Sequence, residues 1–326
     1  MEAVLQELIY DSLREGAVWP FDRRYLRPRH FHGQLECLLV LRGSATVHLA
    51  TQTIVVRAGQ LCWILPGVPH VMGDFSSDFD MWVVELDASL VDECWAKLVP
   101  AGSAASSPGS SARSSAKRSE HTDAPFGSWA LALGEQLAGR PQVDTSAAIA
   151  ARLDELAAAV WAATRPVDAR TGLAAFALLA LKTTLANVET HRPLSVGQLA
   201  SCLLLASPTM DRGEMARELG VSEGFLSRAL HKDLGVTFVE HRARTRVAHF
   251  LALVQSGGSN FLHAALSAGF GSYSQFHRTF SRLSGSGPSH YLELGRHRSQ
   301  LLVLGDSDSL GDVSVLTDWQ RQRAPL

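Results

Sequence analysis

Between residues 30 and 86 the apolar positions come in short runs, LECLLVL, ATVHLA, QTIVVRA, LCWILP and DMWVVEL, several alternating with polar residues. Short alternating runs of this kind are the pattern of half-buried β-strands. The breaks fall at Arg42-Gly43-Ser44, Thr51-Gln52, Ala58-Gly59 and Pro66-Gly67, all turn chemistry. Residues 20–95 are therefore expected to form a small all-β barrel or sandwich. The pattern then vanishes: PAGSAASSPGSSARSSAKRSEHTD has almost nothing apolar to bury, and 100–125 reads as a flexible low-complexity linker. From 127 to 190 apolar residues return with a helical period. In TSAAIAARLDELAAAVWAATR, Ile149, Leu153, Leu156, Val160 and Trp161 recur at steps of three and four and make one stripe. Such a stripe packs within the chain or makes a dimer, and the sequence leaves both open; 127–190 is read as a coupling and dimerisation segment. Residues 195–295 are helical throughout, and 296–326 form a mixed tail with no assigned role. The fold class is α+β and multidomain.

The helical end contains a repeat. MARELGVSEGFLSRAL (215–230) and AALSAGFGSYSQFHRTF (264–280) share Ala-x3-Gly, at Ala216 to Gly220 and Ala265 to Gly269, followed by a helix-opening serine, Ser222 or Ser272. Four, six and eight residues after that serine stand an apolar residue, an arginine and an apolar residue: Leu226, Arg228, Leu230 and Phe276, Arg278, Phe280. The small alanine allows a close helix crossing, the glycine takes a positive-φ turn, and the serine caps the next helix. This is a helix-turn-helix present twice. With the apolar positions inward, Glu223, Gly224, Ser227 and Arg228 of the first unit, and Tyr273, Ser274, His277 and Arg278 of the second, lie on or beside the outer face. Arg228 and Arg278 suit guanine readout or a phosphate clamp, and His231, Lys232 and Arg282 suit phosphates. Gln275 is three residues after Ser272, so it closes a capping box or touches DNA. Between the units, FVEHRARTRVAHFLALV (238–254) is a long helix carrying Arg242, Arg244 and Arg246, which read as a solvated face or as internal ion pairs.

Composition narrows the setting. Hydrophobic residues are 46%, charged residues 19% and the formal net charge is −2, so there is no global basic excess and a nucleic-acid footprint must be local. The four cysteines lack CxxC spacing and read as buried thiols in a reducing compartment. MEAVLQELIYDSLREG lacks the basic and apolar regions of a signal peptide, and LAAFALLAL (173–181) is too short to span a bilayer. A cytoplasmic protein without membrane partners is the expectation.

The repeat resembles the DNA-binding domain of the AraC/XylS family of transcription regulators. The resemblance is carried by RELGVSEGFLSRALHKDLGVTF and AALSAGFGSYSQFHRTFSRLSGSGPSHYL, with Gly285, Pro288 and Tyr291 after the second unit. It implies DNA contacts from Gly224, Ser227 and Arg228, and from Tyr273, Ser274, Gln275, His277 and Arg278. Two positions depart from the family: Gly224 where a larger side chain is usual, and Phe250 where a small residue is usual.

HFHGQLE (30–36) places His30, His32 and Glu36 at one strand parity, a set that matches the ligands of non-haem metal sites. With Gly43 this reads HxH-x3-E-x6-G, and GQLCWILPGVPH adds His70; together they resemble the two motifs of the cupin barrel. The second motif is partial, with Pro66 shifted by one place and Asp74 replacing asparagine. In metal-binding cupins the ligands correspond to His30, His32, Glu36 and His70. The same four read best as the polar wall of a small-molecule sensor pocket, with a metal site as the alternative. AraC/XylS members often carry such a barrel as a sensor, so the combined expectation is a sequence-specific regulator controlled by a small-molecule effector. No catalytic residue is assigned; no cofactor is assigned beyond a divalent metal as the open alternative. The resemblance implies promoter DNA, an effector, a homodimer and RNA polymerase as partners. The rival reading is a metal-dependent cupin dioxygenase or isomerase fused to a DNA-binding domain.

Overall fold

The computed structural model describes residues 4–5, 15–22, 28–99, 126, 128–137, 140–187, 194–255 and 260–293. The linker expected at 100–125 and the tail at 296–326 lie outside them. The strands are β1 (Val4–Leu5), β2 (Gly16–Pro20), β3 (His30–Phe31), β4 (Leu35–Arg42), β5 (Ser44–Leu49), β6 (Gln52–Arg57), β7 (Gln60–Ile64), β8 (His70–Gly73) and β9 (Asp80–Leu86). Then come α1 (Ala88–Leu98), α2 (Ser128–Leu137), β10 (Gln142–Asp144), α3 (Ala147–Trp161) and α4 (Pro166–Ala186). The remainder is helical: α5 (Val196–Ala206), α6 (Arg212–Glu218), α7 (Glu223–Leu234), α8 (Phe238–Gln255), α9 (Phe261–Ser267) and α10 (Tyr273–Ser284).

The strands make two five-stranded sheets, ordered β1-β3-β8-β5-β6 and β10-β7-β4-β9-β2. Among the described residues they face one another and do not close into a ring. Leu38, Val40, Ile64, Met81 and Val83 of the second sheet meet Val47, Leu49 and Val56 of the first. The alternate residues of the second sheet, Leu35, Cys37, Leu39, Trp63, Val84 and Leu86, face the opposite way into a core shared with α1 to α4. Covering both faces of β4 explains why LECLLVL is nearly continuous in apolar residues rather than alternating. Of the α3 stripe, Leu153 and Val160 are buried in this core with Ala157 between them, and Ile149 and Leu156 pack against it half-buried. Polar pins fix the helices to the sheet, from Trp63 Nε1 to Thr184 Oγ1 at 2.8 Å and from Trp82 Nε1 to Asp154 Oδ1 at 2.6 Å. By length and composition α4 could cross a membrane, which the 173–181 run alone could not. Its Leu173, Phe176, Ala177, Ala180 and Leu181 are instead fully buried in the same core.

The two helix-turn-helix units, α6–α7 and α9–α10, close with the same hydrogen bonds. Val221 N–H donates to Ala216 O at 2.9 Å and Phe270 N–H donates to Ala265 O at 3.1 Å. Each bond spans a glycine in the left-handed region, Gly220 at φ 66° and Gly269 at φ 89°. That conformation carries a Cβ penalty which glycine escapes. Ser222 and Ser272 then cap the second helices, each accepting an N–H three residues on at 3.2 Å. Phe250, unusual for its place, is absorbed by an aromatic core: its ring lies 4.2 Å from Phe276, 5.6 Å from Phe261 and 5.8 Å from Phe280.

The sheets rest directly on both units. At the β5–β6 turn, Thr51 Oγ1 donates to Asp233 O at 2.6 Å, against the last turn of α7. At the other edge, Leu5 and Phe31 are buried inside the hydrophobic core of the second unit with Phe250, Phe276 and Phe280. Tyr291 Oη donates to Leu5 O at 3.2 Å.

Candidate functional site

The residues read from HFHGQLE do meet, together with His70, between the two sheets. His30 and His70 are register partners on β3 and β8. Glu36 lies on β4, and His32 sits where the chain crosses from one sheet to the other. All four are buried. The ring centroids of His30 and His70 are 4.2 Å apart, and those of His32 and His70 are 5.0 Å apart. Glu36 reaches two of the rings, with Oε2 at 3.1 Å from His32 Nε2 and Oε1 at 3.7 Å from His70 Nε2.

The imidazoles share one orientation device. Nδ1 of His30, His32 and His70 lies 2.9, 3.2 and 3.0 Å from the carbonyl oxygens of Pro28, Gln34 and Val68. A carbonyl only accepts, so each Nδ1 carries the proton and donates. Each Nε2 then faces the shared space, the arrangement in which outer hydrogen bonds aim histidine ligands. At His32 both nitrogens face acceptors, Gln34 O and Glu36 Oε2. A proton or a metal ion therefore has to lie between Nε2 and the carboxylate.

Sequence reasoning missed Glu85. It is the register partner of Glu36 on β9 and is fully buried. His30, His32 and His70 form one group able to hold a metal, and His32, Glu36 and Glu85 form a second. The signal was a carboxylate at the inward parity of DMWVVEL. Asp87, close by, has its carboxyl pushed up to about 7 by burial, with Glu85 and Glu15 adding to the effect and a hydrogen bond from Gln34 opposing it.

The second candidate site is the outer face of the two units. Gly224, Arg228, His231 and Lys232 are exposed on α7 with Ser227 half-buried, and Ser274, Gln275, His277 and Arg278 are exposed on α10. Tyr273 is partly buried, its ring 5.5 Å from Phe276. Gln275 Oε1 accepts from Gly271 N–H at 2.9 Å, so it closes on the turn next to the cap rather than on Ser272 N–H. Arg282 is exposed but ion-paired, with Nη2 3.0 Å from Glu240 Oε2. The other oxygen of Glu240 holds Arg244 Nε at 3.2 Å, and Arg244 is buried. Of the three arginines on α8, Arg244 and Arg246 thus serve the interior, Arg246 donating to Pro208 O at 2.9 Å.

All four cysteines are buried, free thiols. Burial pushes Cys94 up to about 11 and Cys202 up to about 12, which removes them from chemistry near neutral pH.

Comparison with known proteins separates the same two parts. Residues 16–169 match the family described as "AraC-like ligand binding domain", and residues 215–294 match one described as "Helix-turn-helix domain". No curated protein matches the chain. Among solved structures, ToxT from Vibrio cholerae is 13% identical over 85% of this chain and 97% of that one, with a TM-score of 0.41. A structure of unsaturated fatty acid bound wild-type ToxT is 15% identical, covering 85% and 94%, with a TM-score of 0.41. Oxalate decarboxylase from Bacillus subtilis, studied for its Mn(II) centres, is 23% identical over 23% of this chain and 19% of that one, with a TM-score of 0.17.

Proposed function

The chain belongs to the AraC/XylS family of transcription regulators, and we propose that occupancy of its histidine pocket controls how the second helix-turn-helix unit meets promoter DNA. One observation carries this reading. Phe31 lies between His30 and His32 in sequence, and its ring is buried in the core of the second unit. Those two histidines and Phe31 share one short stretch of backbone, so a ligand that moves the imidazoles moves Phe31. On Phe31 rests Arg244, Arg244 binds Glu240, and Glu240 binds Arg282 on the DNA face. The pocket and the DNA face are thus linked by packed side chains and ion pairs. With Nδ1 spent on backbone carbonyls, each neutral imidazole offers Nε2 as an acceptor beside Glu36, which suits an effector bearing a hydrogen-bond donor or a cationic group. The protein acts in the cytoplasm as a homodimer that works with RNA polymerase, and it performs no catalysis. The test is selection of bound DNA from a genomic pool, repeated with His70→Ala. A recovered motif whose affinity changes in the variant supports the reading. A motif bound equally by both proteins refutes the coupling.

A divalent metal in the same pocket is a second reading, favoured by His32 facing two acceptors and by the shared Nδ1 anchoring. His30, His32, His70 and Glu36 would hold the ion, with Glu85 beside them. It would supply a Lewis-acid anchor for an oxygen of the effector. Metal analysis of the purified protein tests this. Stoichiometric metal, with a melting temperature lowered by chelator, supports it; metal-free protein indifferent to added Mn(II), Fe(II), Ni(II) or Zn(II) refutes it.

A further inference from the structure

The outward face of α7 is bare at one place, Gly224 in its first turn. Gly224 offers no side chain there, and a Cβ built on it meets only Arg228 Nη1, at 3.5 Å. The Arg228 guanidinium therefore lies along an open turn. Beside it stands Phe225, 46% exposed and the largest apolar side chain on the helix. At 100° per residue Phe225 projects about 60° from Arg228, on the flank of the outward face, while Leu226, Leu230 and Leu234 face the core. Among the described residues its ring joins none of the hydrophobic cores, and Ser222 binds the Phe225 backbone N–H. The equivalent residue of the second unit, Gln275, turns back to bond Gly271 N–H. Phenylalanine has no polar group with which to do so, and its ring stays out. The approach to this turn is also cleared of repulsion. Glu223, which would oppose a phosphate, is ion-paired to Arg212 with Nε–Oε2 at 2.7 Å.

We infer that Phe225 is a base-reading residue of the first unit, contacting the C5-methyl group of a thymine next to the base that Arg228 meets. In the major groove the thymine methyl is the apolar mark of an A·T pair, and phenylalanine is among the side chains that read it. The missing side chain at Gly224 is what lets a ring from the adjacent position reach the bases. The first unit thereby gains a thymine preference in place of the contact that a larger residue at 224 would make. The inference rests on the DNA-binding reading and adds a specificity determinant to it.

The experiment replaces thymines one at a time by deoxyuridine, which removes only the methyl group, in a DNA site selected by the full-length protein. Wild type, Phe225→Ala and Phe225→Gln are compared; the ring is exposed, and glutamine is the second unit's own residue at this position. One thymine in the first-unit half-site should weaken wild-type binding about fourfold on losing its methyl, the value of one buried methyl group. Neither variant should respond at that position. A recovered motif with no methyl-sensitive thymine, or one equally sensitive in all three proteins, overturns the inference while leaving DNA-binding regulation intact. Failure to recover any motif overturns both. An exposed Phe225 that served a protein partner instead would give the first of these outcomes.

Discussion

The guanidinium of Arg244 lies 5.3 Å from the centre of the Phe31 ring, where a strand of the sensor sheet enters the core of the second DNA-binding unit. A cation over an aromatic face is attracted more strongly when both are shielded from water, and here Arg244 is 4% exposed and Phe31 0%. Phe31→Ala should cost about 3–5 kcal/mol, the range for emptying a buried phenylalanine site. Phe31→Leu should fold with a smaller loss. In Phe31→Leu, DNA affinity should no longer respond to His70→Ala, which a double-mutant cycle on binding would measure.

Glu240 competes with DNA for Arg282. Glu240→Gln should release that arginine and remove one negative charge near the phosphates. Affinity should rise on all sequences alike, and the salt dependence should steepen by about one unit. Titrations on specific and random DNA at two salt concentrations would show it.

Arg278 and Lys232 should fail differently when truncated. Arg278→Ala should weaken specific binding by roughly 1–3 kcal/mol and relax the preference at one position. Lys232→Ala should weaken specific and non-specific binding alike and flatten the salt slope by about one unit. Affinity unchanged by Arg278→Ala would remove it from the base readers.

Two buried histidines on α8 should make the protein acid-sensitive. His241, hydrogen-bonded to Ser201 Oγ at 2.8 Å, is lowered to about 4 by burial and by nearby Arg244. His249 donates from Nε2 to Leu205 O at 2.7 Å and is lowered to about 3 by burial, partly offset by that bond. Both folded-state values lie below the ordinary histidine value, so the unfolded chain takes up protons first as pH falls. Their contribution is intact above about 6.5 and is lost progressively from there down towards 4 and 3. Between pH 7 and 5 each should cost on the order of 2 kcal/mol. Denaturant melts at the two pH values, compared with His249→Gln, which keeps a donor but does not titrate, should show the variant losing less.

What the sequence disclosed depended on how local the determinant was. The repeat was readable because caps, glycine turns and inward apolar positions all fall within one short stretch of chain. The pocket was readable in part: the spacing of His30, His32 and Glu36 pointed to one site and the Pro66-Gly67 turn delivers His70, but the three lie on two sheets and the crossing between them, not on the single strand that parity assumed. Glu85 needed the register of β4 against β9, which alternation alone does not set. The α3 stripe left two partners open, because periodicity marks an apolar face without naming what covers it. The two-sheet arrangement, rather than a closed barrel, follows from edge strands such as β6, whose Gln52 and Thr53 stay exposed. Phe31 looked like an ordinary strand residue, because nothing near it in sequence announces burial in one core with Phe276 and Tyr291.

The placement of Leu5 and Phe31 bears on how this protein can be taken apart. A fragment beginning near residue 195 would leave an aromatic cleft on the second unit facing solvent, where the intact chain seats two side chains. A chimera joining that fragment to a foreign sensor would inherit the same open cleft. The reading head is therefore not a portable cassette: two residues of the N-terminal half travel with it, or its second unit is left unfinished.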